Sequence, residues 1–281
     1  MDANKNTLSF WAFLLPILLA FSLVIVVPFF TGIYYSFTDW RGFREANFVG
    51  FQNYINLVSD TSFINSILFT ARFAIVTVVA VNVISLALAL LVTQKMFVSN
   101  ALRTVFFMPN LIGGLILGFI WQFIYLGAFP ELGWGHWTST PTTAFWGLVI
   151  LSTWQMSSYM MVIYVAYLQN VPSDILEAAS VDGVTRWQRF RHIVFPLIAP
   201  GFTVSMFMTL SNSFKLFDQN LSLTNGGPFG SSTMVALEIY RTAYAQDRMA
   251  YAQAKAVIFF LIIMALSISQ TYFNKKREVE L

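Results

Sequence analysis

Phe10-Trp-Ala-Phe-Leu-Leu-Pro-Ile-Leu-Leu-Ala-Phe-Ser-Leu-Val-Ile-Val-Val-Pro-Phe-Phe30 contains no charged side chain. A helix rises about 1.5 Å per residue, so a run of this length crosses the roughly 30 Å hydrocarbon core of a bilayer. Lys5 precedes it and no convincing small-residue cleavage site follows, so it reads as a span and not as a cleaved leader. Pro16 and Pro28 are tolerable inside it because neighbouring helices can satisfy the backbone groups they free.

Working outward, the same texture recurs along the chain. Of 281 residues, 57% are hydrophobic and 10% charged, against about 25% charged in soluble domains. A water-soluble globule is excluded, and the fold class is an all-α polytopic membrane protein. Six transmembrane helices are expected near residues 10–30, 68–92, 105–126, 144–168, 200–221 and 256–273, the fifth being the least apolar. An amphipathic stretch, Phe48 to Val58, suits the outer interface.

Charge sets the orientation. A cytoplasmic amino terminus puts Lys5, Lys95, Arg103, Arg186, Arg189, Arg191, Lys275, Lys276 and Arg277 on one side, nine cations, against the four at Arg41, Arg44, Arg241 and Arg248. The positive-inside rule therefore predicts that both termini are cytoplasmic. The net charge of +3 is spread too thinly to suggest nucleic acid. With no cysteine, disulfides, thiolate metal sites and a cysteine nucleophile are excluded. His136 and His192 form no metal-binding pattern, and there is no phosphate-binding Gly-x-x-x-x-Gly-Lys-Ser/Thr loop. No catalytic residues, metal or cofactor are expected on this chain.

Between the fourth and fifth spans lies Val171-Pro-Ser-Asp-Ile-Leu-Glu-Ala-Ala-Ser-Val-Asp-Gly-Val-Thr-Arg-Trp-Gln-Arg-Phe-Arg-His-Ile-Val-Phe-Pro196, far longer than a turn needs. Pro172, Ser173 and Asp174 suit a helix start, Asp182-Gly183 its end, and Thr185 the cap of a second short helix that Pro196 stops. Such a cytoplasmic helix-turn-helix is shaped to enter a groove on a partner. An ordinary amphipathic surface helix with positive-inside anchors is the plainer reading of the same residues.

Glu177-Ala178-Ala179, Asp182-Gly183, Trp187, Phe190, Ile193 and Pro196-Leu197 resemble the EAA signature of permease subunits in binding-protein-dependent ABC importers. Phe214-Lys-Leu-Phe-Asp218, Leu223-Thr-Asn-Gly-Gly-Pro228, Ile239-Tyr-Arg-Thr-Ala-Tyr244 and Gly50-Phe-Gln-Asn-Tyr54 are similar to carbohydrate permeases of the MalF type. The resemblance runs from the first span to the sixth and implies one permease domain over 1–281, with an EAA coupling loop at about 171–197. It implies a coupling role for Glu177, Ala178, Ala179, Asp182, Gly183 and Arg186. The implied partners are a second, MalG-like permease, an ATPase dimer that carries ATP and Mg, an extracellular or periplasmic solute-binding protein and a sugar. The implied location is a bacterial or archaeal cytoplasmic membrane. By the same comparison, the extra amino-terminal spans and inserted outer domain of the MalF prototype are expected to be missing, and no role of theirs is carried over.

Two polar stripes interrupt the apolar spans. Ser205, Thr209, Asn212, Lys215, Gln219 and Ser222 recur at helical spacing on the fifth, and Ser152, Gln155 and Tyr159 on the fourth. Such faces point inward, either to a water-filled path or to interhelical hydrogen bonds. Gap-free alignment on the family motifs places Ser152, Gln155, Met156, Tyr159, Thr209, Asn212, Ser213 and Leu216 where MalF lines its sugar pocket, and Lys215 adjoins them. Gln155, Met156 and Leu216 depart from that pocket, so maltose specificity is not inherited. Lys215 and Asp218 are spaced for a helix-surface pair with a structural or gating role. Arg72 reads as an inward-facing or snorkelling cation. Gly114-x-x-x-Gly118 favours simple close packing over a special dimerisation role. A stand-alone secondary transporter or channel, with Lys215, Asp218 and Arg72 as coupling charges, is the alternative. It predicts uptake by the chain alone.

Overall fold

The computed structural model describes residues 3–43, 45–94 and 97–275, except for the side chains of 3–9 and 275. The cations Lys5, Arg44, Lys95, Lys275, Lys276 and Arg277 of the charge count thus lie outside the described side chains. Within these limits the chain is all-helical but for one isolated bridge, Thr38 to Phe48. Among the described residues, five helices are long and apolar enough to cross a membrane, or six if one bent pair counts as a single span.

Contacts divide the chain into two units, residues 1–61 with 239–260, and 62–238 with 261–281. In the first unit, α1 (residues 3–35) carries Pro16 and Pro28 on either side of a wide turn at Ser22–Val26. Its membrane-length portion, Phe10–Tyr35, buries none of its most apolar window. The chain then folds onto α2 (Gln52–Leu57). Asn53 Nδ2 donates to the carbonyls of Ser36 and Thr38, each at 2.8 Å, and the Ser36 hydroxyl meets the Tyr54 hydroxyl at 2.6 Å. Gly50 supplies the left-handed backbone angle before α2, with φ of 59°. The Gly-Phe-Gln-Asn-Tyr stretch is therefore a loop anchor.

The second unit begins with α3 (Thr61–Val92) and includes α4 (Ser99–Phe107), α5 (Gly114–Glu131) and α6 (Pro141–Gln169). The expected third span over 105–126 is two pieces. A tight turn at Met108–Leu111 follows α4, and Gly113 is extended before α5 begins. Pro109 offers no N–H to continue a ladder, and glycine costs helix stability. Reciprocal bonds between Thr140 and Thr143 cap α6, with Pro141 in its first turn.

After α7 (Ser173–Val181), Gly183 takes φ of 72°. Thr185 then caps α8 (Arg186–Leu197) in a reciprocal box with Gln188. The expected stop at Pro196 falls slightly later, because proline completes a wide turn and the break comes at Ile198. A bend of 70° separates α8 from α9 (Ala199–Phe214). Pro172, not Ser173 or Asp174, occupies the cap position of α7, without a side-chain cap bond. Later elements are α10 (Val235–Tyr240) and α11 (Met249–Lys275).

Packing inside the second unit is close. A Cβ added at Gly118 would lie 1.8 Å from Ser222 Oγ, and one at Gly114 would lie 2.8 Å from Asp218 Cβ. The two glycines therefore let α5 lie against the segment 218–224, and Gln122 Nε2 donates to the Leu223 carbonyl beside them at 3.1 Å. Tyr164 on α6 donates to Asn82 Oδ1 on α3 at 2.7 Å, a buried interhelical bond.

Candidate transport pathway and coupling surface

The expected stripe over 205–222 is not one continuous helical face. The ladder of α9 closes with the Lys215 amide on the Ser211 carbonyl, and the next turn opens with the Leu221 amide on Phe217. Between them, Leu216 and Phe217 are non-helical. A π-helical turn at Asn220–Thr224 follows and ends at Asn225 in the left-handed region. Asn220 holds this arrangement from within: its Nδ2 donates to the Ser232 carbonyl at 2.8 Å, and its Oδ1 accepts from the Met234 amide at 3.0 Å. Asn220 is therefore a buried structural hub.

The break has a spatial consequence. A cavity of about 350 Å³ lies at its edge, lined by α6, the turn after α4 and the segment 212–219. Gln155, Met156, Tyr159, Asn212, Lys215 and Leu216 line it together. Ser152, Thr209 and Ser213 do not; all three are fully buried. Thr209 donates back to the Ser205 carbonyl at 2.7 Å, a bond within its own helix. The hydroxyls of Ser152 and Ser213 have no hydrogen-bond partner among the described residues. Lys215 and Asp218 both face the cavity, and no ion pair between them occurs among the described residues. Loss of regular helix between them removes the geometry that their spacing required.

Sequence reasoning did not single out Asn110, Gln155's partner Gln219, or the Ile112 carbonyl as members of one site. Gln155 Nε2 donates to the Ile112 carbonyl at 3.0 Å, and Gln219 Nε2 donates to Gln155 Oε1 at 2.6 Å. These bonds join the breaks of the third and fifth spans to α6. Gln219 was visible in the polar stripe, whereas Asn110 carries no sequence signal beyond its proximity to Pro109.

On α7 and α8, Glu177, Ala178, Asp182, Gly183 and Arg186 are exposed, while Ala179 is buried. Gly183 closes the turn, and the Arg189 guanidinium reaches Ser180 Oγ at 3.4 Å across it. Trp187 stacks with Phe190 and remains well exposed. Small side chains and one aromatic ring thus occupy a solvent-facing helix-turn-helix. Arg72 on α3 is exposed.

Lys255 is the most deeply buried charged side chain among the described residues. Lys255 Nζ lies 3.0 Å from Asp60 Oδ2 and donates to Thr242 Oγ1 at 2.9 Å; Tyr251 also donates to Asp60, at 2.9 Å. Lys255 is 2% exposed. All four residues belong to the first unit. Among the described residues, no three His, Cys, Asp or Glu side chains converge to hold a metal.

Comparison with known proteins gives this geometry a context. The chain is 54% identical over 284 residues to the probable starch degradation products transport system permease protein AmyD of Thermoanaerobacterium thermosulfurigenes, covering 99% of this chain and 97% of that one. It is 30% identical to the multiple sugar-binding transport system permease protein MsmF of Streptococcus mutans, covering 96% of each. A crystal structure of a bacterial ABC transporter involved in import of the acidic polysaccharide alginate has the same fold, with a TM-score of 0.85 over 98% of both chains at 19% identity. The model of the binding-protein-dependent transport system inner membrane component family matches residues 86–279, more than half of the chain. This chain belongs to that family of inner membrane transport components.

Proposed function

We propose that this chain is a transmembrane permease subunit of an ABC importer for neutral oligosaccharides of the starch-degradation class. The observation that carries the reading is 54% identity to the AmyD permease over nearly the whole of both chains. The cavity chemistry supports it. Asn110, Gln155, Asn212 and Gln219 offer amide donors and acceptors, Tyr159 adds an aromatic ring, and the formal charges of Lys215 and Asp218 cancel. Sugar hydroxyls need such paired donors and acceptors and no net fixed charge. The substrate path of this proposal comprises Gln155, Met156, Tyr159, Asn212, Lys215 and Leu216, with Ser152, Thr209 and Ser213 buried behind it.

The working assembly in this proposal contains a second permease of the MalG type, an ATPase dimer and an external solute-binding protein. Residues 1–281 form one MalF-type permease domain with both termini cytoplasmic in a bacterial or archaeal membrane. Residues 171–197 form the coupling loop. Glu177, Ala178 and Asp182 offer the docking face, Ala179 anchors it to the permease, Gly183 makes the turn and Arg186 supplies charge. ATP and Mg act on the partner, whose closure rocks the helices between outward and inward states. Such coupling requires that nucleotide and loaded binding protein favour different states.

Purification from the native membrane in mild detergent, followed by mass spectrometry, tests the assembly. A second permease and an ATPase should copurify. The reconstituted complex should take up maltose or maltotriose with ATP, and Gly183→Pro should abolish uptake without preventing membrane insertion. Purification of a chain that transports by itself on an ion gradient would overturn the assignment.

A further inference from the structure

The amide groups of the cavity differ in what they leave available. A backbone carbonyl can only accept, so the 3.0 Å bond to Ile112 fixes which end of the Gln155 amide points there: its Nε2. Gln155 Oε1 is thereby turned to Gln219, which must donate to it with Nε2, at 2.6 Å. The direction of the relay leaves Gln219 Oε1 as the terminal acceptor, with no hydrogen-bond partner among the described residues. Gln219 is half-buried and lines the cavity. Its side chain is also confined from behind, since a Cβ added at Gly114 would lie 3.0 Å from both its Cδ and Nε2.

We propose that Gln219 is a specificity-determining residue of the transport path, whose Oε1, oriented by the Ile112–Gln155 relay, accepts from one hydroxyl of a passing neutral saccharide. Gln155 is its positioning residue. This inference rests on the proposed reading of the cavity as a sugar path. The polarity of the relay is the physical reason for selectivity. Gln219 cannot turn its amide to offer a donor without placing two carbonyl oxygens against each other at Gln155. The position therefore rewards a hydroxyl that donates and penalises its absence, since an oriented acceptor is left without a partner.

The test uses the complete importer in proteoliposomes, with maltose, maltotriose and the set of monodeoxy maltoses as probes. In the wild type, one monodeoxy maltose should show kcat/KM about fivefold below maltose through loss of this bond, the scale of a single hydrogen bond. Gln219→Leu should lower the value for maltose by a similar factor while leaving that analogue nearly unchanged, so the discrimination collapses. Gln219→Met, closer in shape, should do the same if the leucine variant fails to assemble. Gln155→Leu should weaken the same discrimination, because the acceptor loses its orientation. Equal loss for maltose and every analogue in both Gln219 variants would overturn the inference and leave Gln219 a structural tie. A wild-type importer that assembles but takes up neither maltose nor maltotriose would overturn the substrate reading, and this inference with it.

Discussion

The first and fourth spans are apolar helices of comparable length with opposite fates. The portion Phe10–Tyr35 of α1 buries none of its most apolar window, whereas most of the corresponding window of α6 is buried, although α1 is the more apolar of the two. The fourth span carries Gly147, Ser152, Ser157 and Ser158 among its buried residues; the first exposes Phe13, Ile17 and Val24. Hydropathy therefore measures suitability for lipid, and burial in a membrane bundle follows small and polar residues that permit close approach. The unit that contains α1 is held elsewhere, by the polar cluster around Lys255.

That contrast is most exposed to disproof at Lys255. Lys255→Met should destabilise the purified complex by about 3 kcal/mol, because Asp60 then keeps its charge in a largely buried site without the ammonium. Thermal unfolding measures this, and Asp60→Asn added to Lys255→Met should recover part of the loss. If the single variant melts like the wild type, the cluster does not hold the unit.

Inside the second unit the penalty should come from bulk. A Cβ at Gly201 would lie 2.4 Å from the Tyr167 ring at the end of α6, so Gly201→Leu should cost about 2 kcal/mol by overpacking, seen as a lower melting temperature. Tyr164→Phe tests the polar part of the same interface. It leaves Asn82 Oδ1 without its donor and should cost about 1 kcal/mol, in line with interhelical hydrogen bonds in membranes. By contrast, Leu18→Ala on the unburied span should change the stability of the chain by less than about 0.5 kcal/mol.

The smallest effect is expected outside the membrane. Asp39 accepts from the Asn47 amide at 2.8 Å and from Asn47 Nδ2 at 3.2 Å, and these bonds hold its carboxyl below the ordinary value of 3.8. A lowered folded-state pKa means that the stabilisation is complete above the ordinary carboxylate range and is lost as pH falls through the folded value. Hydrogen exchange of the Asn47 amide should therefore show constant protection from neutral pH down to that range and lose it below. Asn47→Ala should remove most of the pH dependence.

Several features were legible in advance because they depend on neighbours in the chain. The Thr185 cap needs only Gln188 three residues later, and the turn at Gly183 needs only a residue that tolerates positive φ. The first, second, fourth and sixth spans follow from the length of their apolar runs. The third and fifth did not yield to the same method. Summed hydropathy does not register the interruption at Ile112–Gly113 or the non-helical Leu216–Phe217, where a few residues redirect the chain. Of the polar stripe of the fifth span, Asn212, Lys215 and Gln219 line the cavity, whereas Ser205 and Thr209 on the same stripe are sealed within protein.

The sequence by itself determined that the chain is a helical membrane protein, which segments suit lipid, and where the loop between the fourth and fifth spans starts and turns. Those properties are local sums of transfer free energy, capping and backbone preference. Only the tertiary structure decided that Gln155 meets Gln219 and the Ile112 carbonyl, that Lys255 meets Asp60, and which hydroxyls face a cavity. These pairings join residues far apart in the chain across helix breaks, and a hydrogen bond's dependence on distance and direction makes them properties of the packed fold.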